Sequence, residues 1–179
     1  MGRSSITRKA SRVRLLLFDV DGVLTDGTIM VHADGTESKR FHIRDGTAIV
    51  WAHRAGLMTG VLSARPSQAT AQRAAQLAMR VIAQASRGKL AAFEQILREQ
   101  RLTEEEVAFM GDDLLDLPVL ARAGLSAAPA DATPEVRRRV DLVTRANGGH
   151  GAARELIEFV LRTQDRWNSL VAEYGVSGR

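Results

Sequence analysis

A chain of 179 residues has the size of one ordinary domain, and with 45% hydrophobic and 26% charged residues it is too apolar to be disordered. The absence of cysteine excludes a disulfide framework, a thiolate metal centre and a cysteine nucleophile, so any metal must rest on oxygen ligands or on the four histidines. Of the 25 basic residues, Arg3, Arg8, Lys9, Arg12 and Arg14 precede the first acidic one, Asp19; the remainder, 20 basic against 21 acidic, is nearly neutral and is expected to bind neither nucleic acid nor a membrane.

Residues 1–12 read as a basic flexible tail. The run at 13–18 is almost continuously apolar and ends at Asp19, as a strand buried on both faces of a parallel sheet requires. No apolar stretch approaches the ~20 residues of a membrane span, and no secretory segment follows the basic arm, so a cytoplasmic protein is expected. Segments 28–31 and 36–41 flank the turn signal His32-Ala33-Asp34-Gly35 and predict a β-hairpin. Ile49, Val50, Trp51 and Ala55 form a helical stripe closed by Gly56, and 59–62 reads as the next strand. The Ala/Gln/Arg-rich stretch 67–77 is helical, 81–83 a weak strand, and 90–101 a helix carried by Leu90, Phe93, Ile96 and Leu97. Thr103 with Glu106 forms a capping box. The strand at 107–110 ends at Gly111-Asp112-Asp113; 114–123 reads as a helix interrupted by Pro118, 125–127 as a strand, 134–140 as a helix start and 142–143 as a last strand. After the glycine-rich turn at 148–151 one long helix is expected from 152 to about 168, and 169–179 as a C-terminal tail. Strands alternating with helices predict a doubly wound, mainly parallel α/β sheet over 13–168, with a protruding hairpin.

Ligands of open α/β sheets bind outside the carboxyl ends of the strands, so the acidic residues there take the first functional test. Asp19 and Asp21 follow the first strand at a spacing of two, which sends both carboxylates to one side. Asp112, Asp113 and Asp116 follow the strand at 107–110 behind a glycine and reach the same end of the sheet. Such like charges repel unless a cation neutralises them, and hard oxygen ligands favour Mg²⁺. Taken alone, an Asp-x-Asp is more often a turn or helix cap, and Asp113 also suits the cap of the helix that follows. The histidines show no metal-ligand spacing.

The segment Phe18-Asp19-Val20-Asp21-Gly22-Val23-Leu24-Thr25-Asp26-Gly27 resembles the first motif of the haloacid dehalogenase superfamily of phosphatases. Ser63, Lys89 and Gly111-Asp112-Asp113 resemble its other three motifs in the expected order. The second motif reads Ser63-Ala64-Arg65 where Thr-Gly-Arg is more familiar, and Arg87-Gly88 precedes Lys89 where a short polar residue is more usual. The resemblance implies a Rossmann-like fold, with Asp19 as nucleophile, Asp21 as acid and then base, Ser63 binding a phosphoryl oxygen and Lys89 neutralising the transferring group. It implies Mg²⁺ held by Asp19, the Asp21 carbonyl and Asp112, with Asp113 and Asp116 as supporting carboxylates.

Within the superfamily the chain is most similar to the small cap-less phosphatases that act on 3-deoxy-D-manno-octulosonate 8-phosphate in lipopolysaccharide precursor synthesis. The resemblance thus implies a sugar acid phosphate as substrate, whose carboxylate calls for a further cation, Arg65 or Arg73. A nine-carbon sialic-type acid phosphate is the alternative substrate, and a phospho-accepting receiver-like switch or a silent scaffold are the rival functions. Between the first two motifs there is no room for a cap domain. In the resembled family the hairpins associate in a homotetramer, and the exposed alternation at 28–31 fits such a contact. The glycines at 148–151 are expected to leave that segment mobile enough to shape substrate access.

Overall fold

The computed structural model describes residues 3–84 and 88–175; Arg87 of the third motif lies outside them. Six strands form one parallel sheet in the order β5-β4-β1-β6-β7-β8: β1 (Leu15–Phe18), β4 (Met58–Ser63), β5 (Val81–Gln84), β6 (Val107–Met110), β7 (Leu125–Ala128) and β8 (Leu142–Val143). The predicted hairpin is there but short, β2 (Met30–Val31) pairing antiparallel with β3 (Glu37–Ser38). All four β1 residues are fully buried, as their unbroken apolar run demands. Their alternation splits the core in two. Leu16 and Phe18 pack on the face carrying α1 (Arg3–Ala10), α2 (Ile43–Arg54), α3 (Gln68–Gln76) and α7 (Ala152–Thr163). Leu15 and Leu17 pack on the face carrying α4 (Lys89–Gln100), α5 (Leu117–Leu120) and α6 (Pro134–Arg137). Only the hairpin and α2 intervene between β1 and β4, so no cap domain is inserted there.

Four local expectations change. Residues 3–10, read as a flexible tail, form α1, because Ala10 is buried in the core and Lys9 Nζ lies 2.6 Å from Asp141. Gln164 Nε2 adds hydrogen bonds to the carbonyls of Ala10 (3.0 Å) and Val13 (2.8 Å). The helix expected from 152 to 168 stops at Thr163. Asp165 takes φ +57°, its N–H bonding Arg162 O and that of Arg166 bonding Leu161 O, a Schellman closure. The chain restarts as α8 (Trp167–Ala172), whose Leu170 is buried, so the residues read as a tail are docked at least through 172. Pro118 does not interrupt a helix but sits in the first turn of α5, after a separate 3₁₀ turn at Leu114–Asp116, where its missing N–H costs nothing. The glycine-rich turn is not free: a Cβ on Gly148 would lie 1.8 Å from Gly22 O, and Gly149 N–H bonds Val23 O at 2.9 Å. It seats on its own chain's first-motif loop.

Candidate active site

The sheet order places β1 and β6 at the point where successive strands stop adding to one side and begin adding to the other, the position at which an open α/β sheet forms its ligand crevice. Asp19 is held at the end of β1 by its N–H to Met110 O at 2.9 Å. The chain then turns about the Val20 carbonyl, which accepts the N–H groups of Leu24 (2.9 Å) and Thr25 (3.0 Å). Gly22 makes that turn possible with φ +86°, and a Cβ there would lie 2.1 Å from Asp112 Oδ2. The first-motif loop and the loop after β6 are therefore packed against each other at the glycine.

Asp116 organises the second loop. It packs over Gly111, where a Cβ would lie 2.5 Å from its own, and its Oδ2 accepts the N–H groups of Asp112 (2.9 Å) and Asp113 (3.2 Å). Its Oδ1 accepts from Lys89 Nζ at 2.6 Å, and the same ammonium lies 2.8 Å from Asp19 Oδ2. Asp113 caps the 3₁₀ turn through Leu114 N–H at 2.7 Å, the structural role its sequence position also allowed.

Carboxylate oxygens of Asp19, Asp112 and Asp116 come within 4.8 Å of one another around this one ammonium. Burial, joined by the charge of Asp116, pushes Asp19 up to about 6 against the pull of Lys89. Burial, joined by Asp19 and Asp116, pushes Asp112 up to about 7. Burial works against charge on Lys89, but Asp19 and Asp116 outweigh it and raise the pKa above its ordinary value. One ammonium cannot neutralise three carboxylates, and Asp112 Oδ1 is buried with no hydrogen-bond partner. A hard divalent cation fits that deficit, with Asp19 and Asp112 free to ligate it and Asp116 already occupied by its donors.

Ser63, buried at the end of β4, joins the same cleft of about 190 Å³, whose walls also include Asp19, Asp21, Arg65, Lys89, Asp112, Asp113, Leu115 and Asp116. Arg65 stands at its edge, ion-paired with Glu37 and 3.7 Å from Asp21 Oδ2. Arg73 is elsewhere: it bonds Gln76 at 2.7 Å, lies over the Phe41 ring and contacts Gly46 of α2. Its place on α3 turns it toward α2 rather than the strand ends, which removes it as a cation of this cleft. Sequence reasoning missed Lys39, whose buried Nζ lies 2.7 Å from Asp21 Oδ1, and Glu37 beside it. Both sit in a hairpin with no motif, and only their i, i+2 spacing hinted at a shared face.

A family model for the haloacid dehalogenase-like hydrolase matches residues 57–156, spanning β4 to the middle of α7. The chain belongs to the haloacid dehalogenase-like hydrolases. Among its relatives, the Escherichia coli K12 3-deoxy-D-manno-octulosonate 8-phosphate phosphatase is 39% identical over 163 residues, 91% of this chain and 87% of that one. The Moraxella catarrhalis phosphatase of the same name, solved with a magnesium ion, a phosphate ion and KDO, superposes with a TM-score of 0.93 at 30% identity, covering 97% of this chain and 99% of its own. The cobalt-bound Haemophilus influenzae deoxy-D-mannose-octulosonate 8-phosphate phosphatase gives 0.88 at 35% identity, covering 93% and 98%. The hydrolase is thus a cap-less phosphomonoesterase of this family. No helix among its described residues is long and apolar enough to cross a membrane.

Proposed function

We propose that the hydrolase converts 3-deoxy-D-manno-octulosonate 8-phosphate to the free sugar acid and phosphate, with Mg²⁺ as cofactor, in lipopolysaccharide precursor synthesis. The observation that carries the chemistry is the Lys89 ammonium shared by Asp19 and Asp116 beside the partnerless Asp112 oxygen. The choice of sugar is supported by relatives that are similar over nearly the whole chain.

In this reading an oxygen of Asp19 attacks phosphorus and the bond to the sugar oxygen breaks, giving an aspartyl-phosphate. Asp21 gives its proton to the departing alkoxide. Water then attacks the aspartyl-phosphate, Asp21 takes a proton from it, and Asp19 is released with inorganic phosphate. Lys89 offsets charge on the transferring group and holds Asp19 in place, while Ser63 donates a hydrogen bond to a phosphoryl oxygen. Arg65, at the edge of the cleft, is the cation for the substrate carboxylate. Asp19, the Asp21 carbonyl and Asp112 would hold Mg²⁺, which would supply the positive charge that lets a phosphate approach these carboxylates. Asp113 and Asp116 orient the loop that carries Asp112.

Access to a cleft without a cap is completed by neighbouring subunits. We assign a cytoplasmic homotetramer built through the hairpin, supported by Met30 and Val31, which are 53% and 77% exposed.

The test is phosphate release from eight-carbon and nine-carbon sugar acid phosphates, before and after chelation. The eight-carbon substrate should be preferred, chelation should stop turnover and Mg²⁺ should restore it. Asp19→Asn should fold normally yet lose turnover; a variant keeping more than about a tenth of kcat, a barrier change of only ~1.4 kcal/mol, would remove Asp19 as nucleophile. Stable phosphorylation of Asp19 without turnover would favour a receiver-like switch instead.

A further inference from the structure

Asp19 and Asp116 are each fixed by Lys89, and Asp116 also by backbone N–H groups. Asp21 has no such cradle in its own loop. Among the described residues its carboxylate is met by two cations, both from elsewhere: Arg65, whose Nε stands off at 3.7 Å, and Lys39. Lys39 Nζ spans both oxygens, 2.7 Å from Oδ1 and 2.9 Å from Oδ2. Among the described residues it also meets the buried Thr70 hydroxyl of α3, at 3.4 Å, and acts on the charge of Glu37. The Lys39 side chain is wholly buried, whereas that of Asp21 is a quarter exposed. Desolvating an ammonium is costly, and here it is compensated chiefly by the one carboxylate that faces the reacting oxygen in the proposed mechanism.

Glu37 lies in β3 and Lys39 directly after it, and the hairpin turns Glu37 onto Arg65 and Lys39 onto Asp21. We infer that Lys39 is a positioning residue: from the hairpin, and braced on α3, it holds the Asp21 carboxyl in the rotamer that aims it at the leaving oxygen. The hairpin thereby contributes to the site within its own chain, whatever it adds to assembly. The inference rests on the assignment of Asp21 as the acid.

Single-turnover release of the alcohol tests it, because that step isolates the proton given to the leaving oxygen from the later one taken from water. Lys39→Met is compared with wild type on a sugar acid phosphate, whose alkoxide needs a proton, and on para-nitrophenyl phosphate, whose phenolate does not. Misaimed general acid catalysis should slow the first substrate by about 30-fold or more and the second by less than about 3-fold. Inhibition by inorganic phosphate should be unchanged, and Lys39→Arg should recover much of the loss. In an Asp21→Asn background Lys39→Met should add almost nothing, since the group it positions is gone.

Equal losses on both substrates, or full additivity with Asp21→Asn, would make Lys39 a plain hairpin anchor and overturn the inference. Should Lys39→Met not fold, Lys39→Gln and Lys39→Arg carry the same comparison, and a uniform loss in these overturns it equally. If Asp21→Asn itself turns over the sugar phosphate normally, the acid assignment fails, and that outcome is distinct from an inert Lys39.

Discussion

At the scale of single residues, the site is built from charges that its surroundings do not balance. The folded-state values of Asp19 and Asp112, about 6 and about 7, lie above their ordinary 3.8. As pH rises, the unfolded chain releases these protons first, so without a cation both groups cost stability progressively from about pH 4 to pH 7. A cation relieves that cost where the carboxylates are ionised and must displace protons where they are not. The rise in Tm on adding Mg²⁺ should therefore be larger at about pH 8 than at about pH 6; equal rises would detach the ion from these two carboxylates. Gly22 gives a second handle, because a Cβ there would meet the Asp112 carboxylate, a movable side-chain end, in a backbone conformation at φ +86°. Gly22→Ala should cost about 1–2 kcal/mol in stability from the left-handed backbone. By displacing Asp112 it should also weaken Mg²⁺ binding by more than about 10-fold, measured by calorimetry.

Elements are held where their sequence alone gives little reason to expect them. Helix α1 is short, polar and basic, yet it is clipped to the far edge of the sheet by Lys9 and Asp141. Burial works to raise Asp141, but hydrogen bonds from Lys9 and from Ser126 outweigh it and hold its carboxyl below the ordinary value. A depressed carboxyl contributes stability above its unfolded value, and that contribution is lost as pH falls through the folded one. Asp141→Asn should thus cost about 0.5–1 kcal/mol at neutral pH and speed hydrogen exchange in α1, Lys9 being partly exposed. The difference from wild type should shrink in urea titrations as pH falls below the ordinary carboxylate value and Asp141 protonates; a gap that stays constant into acid would mean packing, rather than charge, holds α1. The Schellman closure at Asp165 likewise redirects the chain, so that Trp167 and Tyr174 pack against Trp51 of α2 instead of running on in line with α7.

For the whole molecule, the fold leaves the hairpin projecting with its apolar residues in water while its charged residues reach the cleft. If the proposed tetramer forms through that surface, Met30→Asp and Val31→Asp should dissociate it in light scattering. The resulting monomer should stay folded, because both positions are exposed within one chain, and should lose only the stability that assembly supplied. A wild-type chain that is monomeric and fully active at assay concentration would reject the shared site and leave the four motifs as they stand.

The amino-acid order by itself determined the parallel sheet and the line of acidic residues along its carboxyl edge. Continuous apolar runs mark strands buried on both faces, and the motifs at Asp19, Ser63, Lys89 and Asp112 each lie at a strand end or the adjoining helix start, where local order places them. Tertiary structure alone decided which neighbouring charges belong to the cleft. Arg65 lies just before α3 and Arg73 in its last turn, yet Arg65 turns to Asp21 and Arg73 to Phe41 and α2. Lys39 carries no motif and becomes the closest partner of Asp21, while α1 and α8 are held by contacts more than a hundred residues away, Lys9 with Asp141 and Trp167 with Trp51. Periodicity and capping are properties of adjacent residues; the partner of a long charged side chain is set by where a distant segment folds back, which no local pattern encodes.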